Sequence, residues 1–326
     1  MVYVHVPVLL EAVLELLAPP AGEACLVDAT LGEGGHTEAF LSRFPRLRVV
    51  GVDKDAEILR KAEARLAPFG GRVRLVQSGF ADFFERGLGE LRPERILMDL
   101  GVSMFHFEQS GRGFSFRSDE PLDMRLDSGE GRTAAELLQE AEEGELARLL
   151  EDFGEEPRAR RIAAAIVRHR QRLGPVTSSG QLARIVAAAV GPEARRGRGA
   201  SPRRQSGLAP WRRHPATRTF QALRIAVNDE LEELARALPA ALRGLSEGGR
   251  MGVIAFHSLE DRIAKRFFRE RARACTCPPE WPICQCGGKS QLALLTRKPV
   301  SATEEERRAN PASRSAKLRV VEKKQG

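Results

Sequence analysis

An apolar run from Leu26 into Asp28, a turn with glycines at 32, 34 and 35, and a second apolar run closing on Asp53 leave this chain few folds to choose from. Read in order, these are a strand, a glycine turn, a helix and a second strand tipped by a carboxylate. Two short strands joined through a helix form a right-handed crossover, and a crossover of that kind builds a parallel sheet. Glycines let backbone N–H groups approach a ligand closely, and an acid about 20 residues further on can take both hydroxyls of a ribose. A nucleoside-containing ligand is the first expectation. The full dinucleotide fingerprint has a third glycine where this chain has Thr37, so the turn is poorly suited to cradling a pyrophosphate. Tight packing of glycines between helix and sheet is the purely structural alternative.

The alternation continues downstream. An amphipathic helix over 7–17 precedes strand 24–29, and a helix from His36 to Arg43 follows it. Strand 47–53, helix 56–66, strand 72–77 and strand 95–100 come next. From 101 to 214 no strand pattern is visible. Helical periodicity runs instead through 134–139, 142–153, 158–172 and 179–190, with Ser178 and Ser179 marking one helix start. A long helix over 219–242 then leads to strand 250–256, helix 259–273, strand 292–296 and a last strand 317–321, the final two suggesting an antiparallel hairpin. The expected architecture is an α/β, Rossmann-like domain with a seven-stranded, mostly parallel sheet, built from 1–104 and 215–326. An all-helical domain at 105–214 is inserted into it.

At 326 residues and 42% hydrophobic content the chain can fill such a core. No apolar stretch reaches the roughly 18 residues of a membrane span, and the start of the chain reads as an amphipathic helix rather than a signal peptide, so a soluble cytoplasmic protein is expected. Net charge is +8, and between Gly191 and Arg224 nine arginines face a single acid, Glu193. Arginine is favoured over lysine throughout, yet clustering on a Gly/Pro/Ser-rich stretch points to a polyanion such as nucleic acid. Cys25 reads as a small core residue. Cys275, Cys277, Cys284 and Cys286 form a cluster of two C-x-C pairs, a spacing unlike that of common zinc sites; zinc, free thiols and disulfides all stay open, and we assign no metal to it.

Asp99 closes the fourth strand at the carboxyl edge, where open α/β folds bind ligands. Seven strands, a glycine turn after the first and an acid at the tip of the second resemble the Rossmann-like S-adenosylmethionine-dependent methyltransferases. In that class the turn holds the amino-acid part of the cofactor, so no third glycine is needed. Members acting on exocyclic amines carry Asp or Asn at the end of strand four, followed by two prolines and an aromatic; here Leu100, Gly101 and Val102 follow. An acceptor aimed at the amine N–H favours the pyramidal geometry of attack on a sulfonium methyl. Asp99 is the candidate for that role, with cofactor positioning or turn capping as the other reading.

More specifically, His5 to Leu10, Asp28 to Thr37, Asp99 to Ser103, Arg112 to Phe116, Pro121 to Arg125, His214 to Arg224 and Phe256 to Arg262 resemble, in order, the motif series of the ribosomal RNA small subunit methyltransferase H (MraW) family. The resemblance implies transfer of a methyl group from S-adenosylmethionine to N4 of one cytidine in the decoding region of 16S ribosomal RNA, within the small ribosomal subunit. It implies that Gly34, Gly35 and His36 hold the cofactor's amino-acid end, Asp53 the ribose and Phe80 the surroundings of the adenine, with Asp99 beside the cofactor. His106 stands where the family pattern has a cofactor-binding glutamine, and Met104-Phe105-His106 replaces Ser-Pro-Gln. At most one of Phe105, Phe107, Phe114 and Phe116 is expected to stack on a flipped base, with core packing the expected place of the others. His214, Arg218 and Arg224 are substrate-binding candidates, and His257 is a second catalytic candidate on the same sheet edge as Asp99. Two readings from other classes share parts of this pattern: a nicotinamide-dependent oxidoreductase shares Asp53 and the turn, and a non-catalytic RNA-binding protein shares the basic stretch.

Overall fold

The computed structural model describes residues 6–191, 214–274 and 288–325. The chain divides into two compact units, 1–101 with 231–326 and 102–230.

In the first unit, α1 (Leu10–Leu16) precedes β1 (Ala24–Asp28), α2 (Gly35–Arg43), β2 (Leu47–Asp53), α3 (Ala56–Leu66), β3 (Val73–Gln77), α4 (Phe80–Glu85) and β4 (Arg95–Asp99). In the second unit lie α5 (Met104–Glu108), α6 (Ala134–Glu140), α7 (Glu143–Gly154), α8 (Ala159–Leu173), α9 (Ser179–Val190) and α10 (Thr217–Asn228). The chain then returns through α11 (Glu230–Gly244), β5 (Arg250–Ala255), α12 (Ser258–Ala272), β6 (Leu292–Leu294), β7 (Val300–Ser301), α13 (Glu304–Ala309) and β8 (Lys317–Lys323).

The strands form one sheet in the order β3-β2-β1-β4-β5-β8-β6, with β7 also paired to β8. The five strands from β3 to β5 are mutually parallel, while β8 runs antiparallel to β5, β6 and β7. Alternate residues of the central strands feed two cores. Val27, Val50, Ile96, Met98 and Val253 pack with Phe84, Leu238 and Phe268 on one face. Leu26, Val49, Leu97 and Ile254 pack with Val13, Phe40 and Ala62 on the other. Burial on both faces explains why these strands read as apolar runs rather than alternating ones. The strand order reverses between β1 and β4, and such a reversal opens a crevice at the carboxyl ends of the strands.

The helical unit has its own core, in which Leu146, Leu150, Ile162, Ile166, Leu182, Val186 and Leu223 are almost fully buried. Its helix starts follow capping chemistry. Thr133 and Glu136 form a reciprocal capping box at α6, and the Ser178 hydroxyl accepts from Gln181 N at α9, the start marked in the sequence.

Three expectations need correction. Among the described residues the sheet has eight strands, because the two-residue β7 carries too little pattern to be seen in sequence. The last two expected strands do pair antiparallel, β6 with β8, although the connection between them carries β7 and α13 and β8 also pairs with β5. The continuous helix expected over 219–242 is two helices that part at Asp229, which adopts left-handed backbone angles (φ 51°, ψ 33°). Asn228 ends α10 because its side chain is committed elsewhere: Nδ2 donates to the carbonyls of Met124 and Arg224, and Oδ1 accepts from Leu126 N. With the break at 229, α10 packs with the helical unit, and the second boundary falls at 230 rather than 214.

Candidate active site

The carboxyl ends of the parallel strands carry a row of acids. Asp28 closes β1, Asp53 closes β2 and Asp99 closes β4. Between β1 and α2 the chain turns through Gly32 and Gly34, both at positive φ (54° and 79°), and Gly34 begins α2 from the left-handed region. A Cβ at Gly35 would stand 2.7 Å from Pro7 Cγ, so close approach as well as turn geometry demands glycine here. Open space adjoins Gly32, where a built Cβ meets nothing within 4 Å.

Asp53 holds this turn in place. Its Oδ2 accepts from Gly32 N at 2.8 Å and its Oδ1 from Asp55 N at 3.0 Å. A carboxylate offers about four acceptor positions, so this anchoring is compatible with also receiving both ribose hydroxyls. The Asp53 carbonyl accepts from Ser78 N, which ties the β2 edge to the segment entering α4. Phe80, half-buried, is the first residue of that helix, beside Gly79. A Cβ at Gly79 would sit 2.6 Å from Glu233 Oε1. Glu233 is half-buried there, and loss of water around its carboxyl pushes it above the ordinary range.

Two carboxylates at the switch point are unusual. Asp28 is 1% exposed; its Oδ2 accepts from the Thr37 hydroxyl at 2.7 Å, while Oδ1 has no hydrogen-bond partner among the described residues. Burial drives its carboxyl up to about 6 against the opposing hydrogen bonds from the Thr37 hydroxyl and the Thr30 backbone, with the charge of Asp53 adding to the rise. Asp99 is likewise pushed well above the usual carboxylate value, by burial first and then by the charges of Asp28 and Glu260. Its backbone N donates to the Thr30 hydroxyl at 2.6 Å, and its Oδ1 is a second buried oxygen without a partner. His36, on the first turn of α2, stands behind it with Nδ1 3.5 Å from Asp99 Oδ2 and Nε2 3.0 Å from the carbonyl of Val8.

This arrangement has a cost that a titration will show. Asp28 has a folded-state pKa of about 6 against 3.8 unfolded, so it is neutral in both states well below 3.8, opposes folding increasingly between 3.8 and 6, and opposes it by a constant amount above that. Relative to wild type, Asp28→Asn is expected to gain about 3 kcal/mol between pH 4 and 7, read from urea midpoints of the ligand-free protein. A difference that stays flat over that window refutes the buried-acid assignment.

The remaining candidates are placed differently. His257 is the N-cap of α12: its Nδ1 accepts from Glu260 N, and the Glu260 side chain accepts from the backbone N of His257 and of Phe256. Its Nε2 lies 3.2 Å from Glu260 Oε1. The ring caps its own helix through Nδ1, while Nε2 is a buried atom without a hydrogen-bond partner among the described residues. His106 is 3% exposed within the helical unit, edge-on to Phe105 and tilted against Phe114 at 5.2 Å. His214 stacks on Phe116 at 4.4 Å, and Phe116 meets Phe220 edge-on. Phe105 and Phe114 are core residues, leaving Phe107 and Phe116 half-buried. Arg224 forms a two-point ion pair with Glu230, both contacts 2.8 Å, so its charge is already matched inside the unit. Arg218 is exposed and donates to the carbonyl of Glu155. Cys275, Cys277, Cys284, Cys286, His5 and most of the basic stretch lie outside the described residues.

Asp28 and Glu260 were not singled out as site residues from sequence. For Asp28 a signal existed, since a carboxylate ending a wholly apolar strand has nowhere to be but the sheet edge. Glu260 lay within the Phe256 to Arg262 motif, where only His257 was given a role.

A glycine turn with open space beside it, an acid anchored to that turn, and a buried and a half-buried carboxylate, each with one buried unpaired oxygen, fit a ligand that brings a ribose and positive charge. S-adenosylmethionine, with its ammonium and sulfonium, is such a ligand, and the protein is a Rossmann-like, S-adenosylmethionine-dependent methyltransferase. The family model described as the MraW methylase family matches residues 2–324. Relatives named ribosomal RNA small subunit methyltransferase H are 49% identical in Treponema denticola, over 98% of this chain and 97% of that one, and 49% identical in Heliobacterium modesticaldum, over 99% of each. The chain belongs to the MraW methylase family.

Proposed function

We propose that this protein transfers the methyl group of S-adenosylmethionine to the exocyclic N4 of a cytidine in the decoding region of 16S ribosomal RNA, on the small ribosomal subunit in the cytoplasm. The family and the names of its relatives support a ribosomal RNA acceptor. The observation that carries the choice of an amine is Asp99, a half-buried carboxylate at the end of β4 with one oxygen unpaired. Membership of a methylase family leaves no support for the nicotinamide reading. No described helix is long and apolar enough to cross a membrane.

The cofactor supplies a methyl group on a positively charged sulfur. Gly32 and Gly34 shape the turn that receives its amino-acid end, and Asp53 orients its ribose. Phe80 borders the adenine. Asp28 and Asp99 supply negative charge where the cofactor is positive. The exocyclic amine of cytosine is conjugated with the ring and is a poor nucleophile. Asp99 accepts a hydrogen bond from it, draws the nitrogen toward pyramidal geometry and aligns its lone pair with the methyl carbon. The helical unit, with exposed Arg218 and the adjoining basic stretch, reads the RNA. One nucleotide among many calls for a shaped surface rather than a short sequence.

The test is incubation with methyl-labelled S-adenosylmethionine and either naked 16S RNA or small subunits from a strain lacking the modification. Label is expected at cytidine N4. Absence of label from both substrates overturns the acceptor class, and label on another atom overturns the site.

A further inference from the structure

His36 links Asp99 to a fixed point of the backbone. The Val8 carbonyl can only accept, so the Nε2 atom 3.0 Å from it must carry hydrogen. In the neutral ring Nδ1 is then a lone pair, and it faces Asp99 Oδ2 at 3.5 Å. A lone pair facing an ionised carboxylate oxygen is repulsive. The contact becomes attractive when one proton lies on it, as imidazolium with carboxylate or as imidazole with carboxylic acid.

The surroundings favour keeping that proton in the ligand-free protein. His36 is 6% exposed, and the charges that act on Asp99 are those of Asp28 from β1 and Glu260 from α12, both negative. Asp53 from β2 adds its charge at Asp28. The Thr30 hydroxyl accepts from the Asp99 backbone N and that of Thr37 donates to Asp28, and neither bonds the open Oδ1 of Asp99. A cation delivered beside these acids reverses the balance, because it stabilises the ionised carboxylate.

We propose that His36 and Asp99 form a one-proton dyad, in which His36 positions Asp99, and which releases its proton when the sulfonium binds and regains one from the methylated amine. This rests on the placement of Asp99 at the methyl-transfer site. In the transfer, the nitrogen lone pair forms the new N–C bond and the S–C bond breaks with its electrons staying on sulfur. The proton then carried by nitrogen passes to the Asp99 carboxylate. The positive charge on sulfur and the negative charge on the dyad disappear together, so the site holds no net charge change between substrate and product complexes.

The test is calorimetric titration of the full-length protein near neutral pH, in buffers of different ionisation enthalpy, with S-adenosylmethionine and with S-adenosylhomocysteine. The sulfonium ligand is expected to release about one proton more than the thioether. Asp99→Asn and His36→Gln are both expected to abolish that difference. A purely structural histidine would lower affinity and thermal midpoint and leave the difference intact. Should His36→Gln fail to fold, Asp99→Asn carries the test. Equal proton release by both ligands in the wild type overturns the dyad, as does an undiminished difference in Asp99→Asn. Full turnover of labelled substrate by Asp99→Asn overturns instead the placement of Asp99 at the transfer site, so the two failures are distinguishable.

Discussion

Asp99→Ala is expected to lower single-turnover methyl transfer by roughly 10²- to 10⁴-fold while weakening S-adenosylmethionine binding by about tenfold or less. The asymmetry follows from where the carboxylate acts. In the proposed function the glycine turn, Asp53 and Asp28 share binding of the cofactor, and their own anchors do not involve the Asp99 side chain: Gly32 is held by Asp53 and Asp28 by Thr37. Alignment of the amine and acceptance of its proton are the roles the proposed function gives to Asp99. Rate constants at saturating cofactor, set beside equilibrium binding of the cofactor, separate the two effects. Losses of equal size in both would make Asp99 a binding group only. By contrast Asp53→Ala is expected to act first on affinity, since it both loses the ribose acceptor and frees Gly32 from its anchor.

Arg224→Ala is expected to destabilise the folded protein by about 3 kcal/mol, because it strands Glu230 as a largely buried, unpaired carboxylate. The side chains are 14% and 13% exposed and meet at two points, a geometry that solvent screens little. Replacing both partners, as Arg224→Met with Glu230→Leu, is expected to recover most of the loss, since neither charge is then left alone. Urea midpoints of the two single variants and the double variant check this. A single variant within about 0.5 kcal/mol of wild type would remove the ion pair from the stability of the helical unit. Arg218→Ala makes the opposite prediction. Stability stays within about 0.5 kcal/mol, and RNA binding weakens with a shallower dependence on salt, as loss of one phosphate contact requires. The two arginines six residues apart looked alike in sequence; their partners separate them.

Much of the catalytic half was legible because its signals are local. Apolar runs at Leu26, Val49 and Ile96 mark strands buried on both faces, and glycines at 32 and 34 occupy the positive-φ positions a tight strand-to-helix turn demands. Asp28, Asp53 and Asp99 each end such a run, so their arrival at one sheet edge follows from parallel topology alone. The helix break at Asp229 was not legible. The partners that hold Asn228, Met124 and Leu126, are more than a hundred residues away in the chain, and 219–242 is a sound helix without them. The insertion of β8 between β5 and β6 escaped for the same reason.

The chain's own order of residues therefore determined the alternating fold, the glycine turn and the row of acids, because each depends on periodicity, backbone freedom or strand direction over a few residues. Only the tertiary structure decided what those acids are. Burial and the approach of Asp28 and Glu260 to Asp99 raise its proton affinity, Val8 fixes the tautomer of His36, Glu260 turns His257 into a helix cap, and Glu230 takes Arg224. Charge state is set by neighbours in space, and those neighbours come from segments that no local pattern brings together.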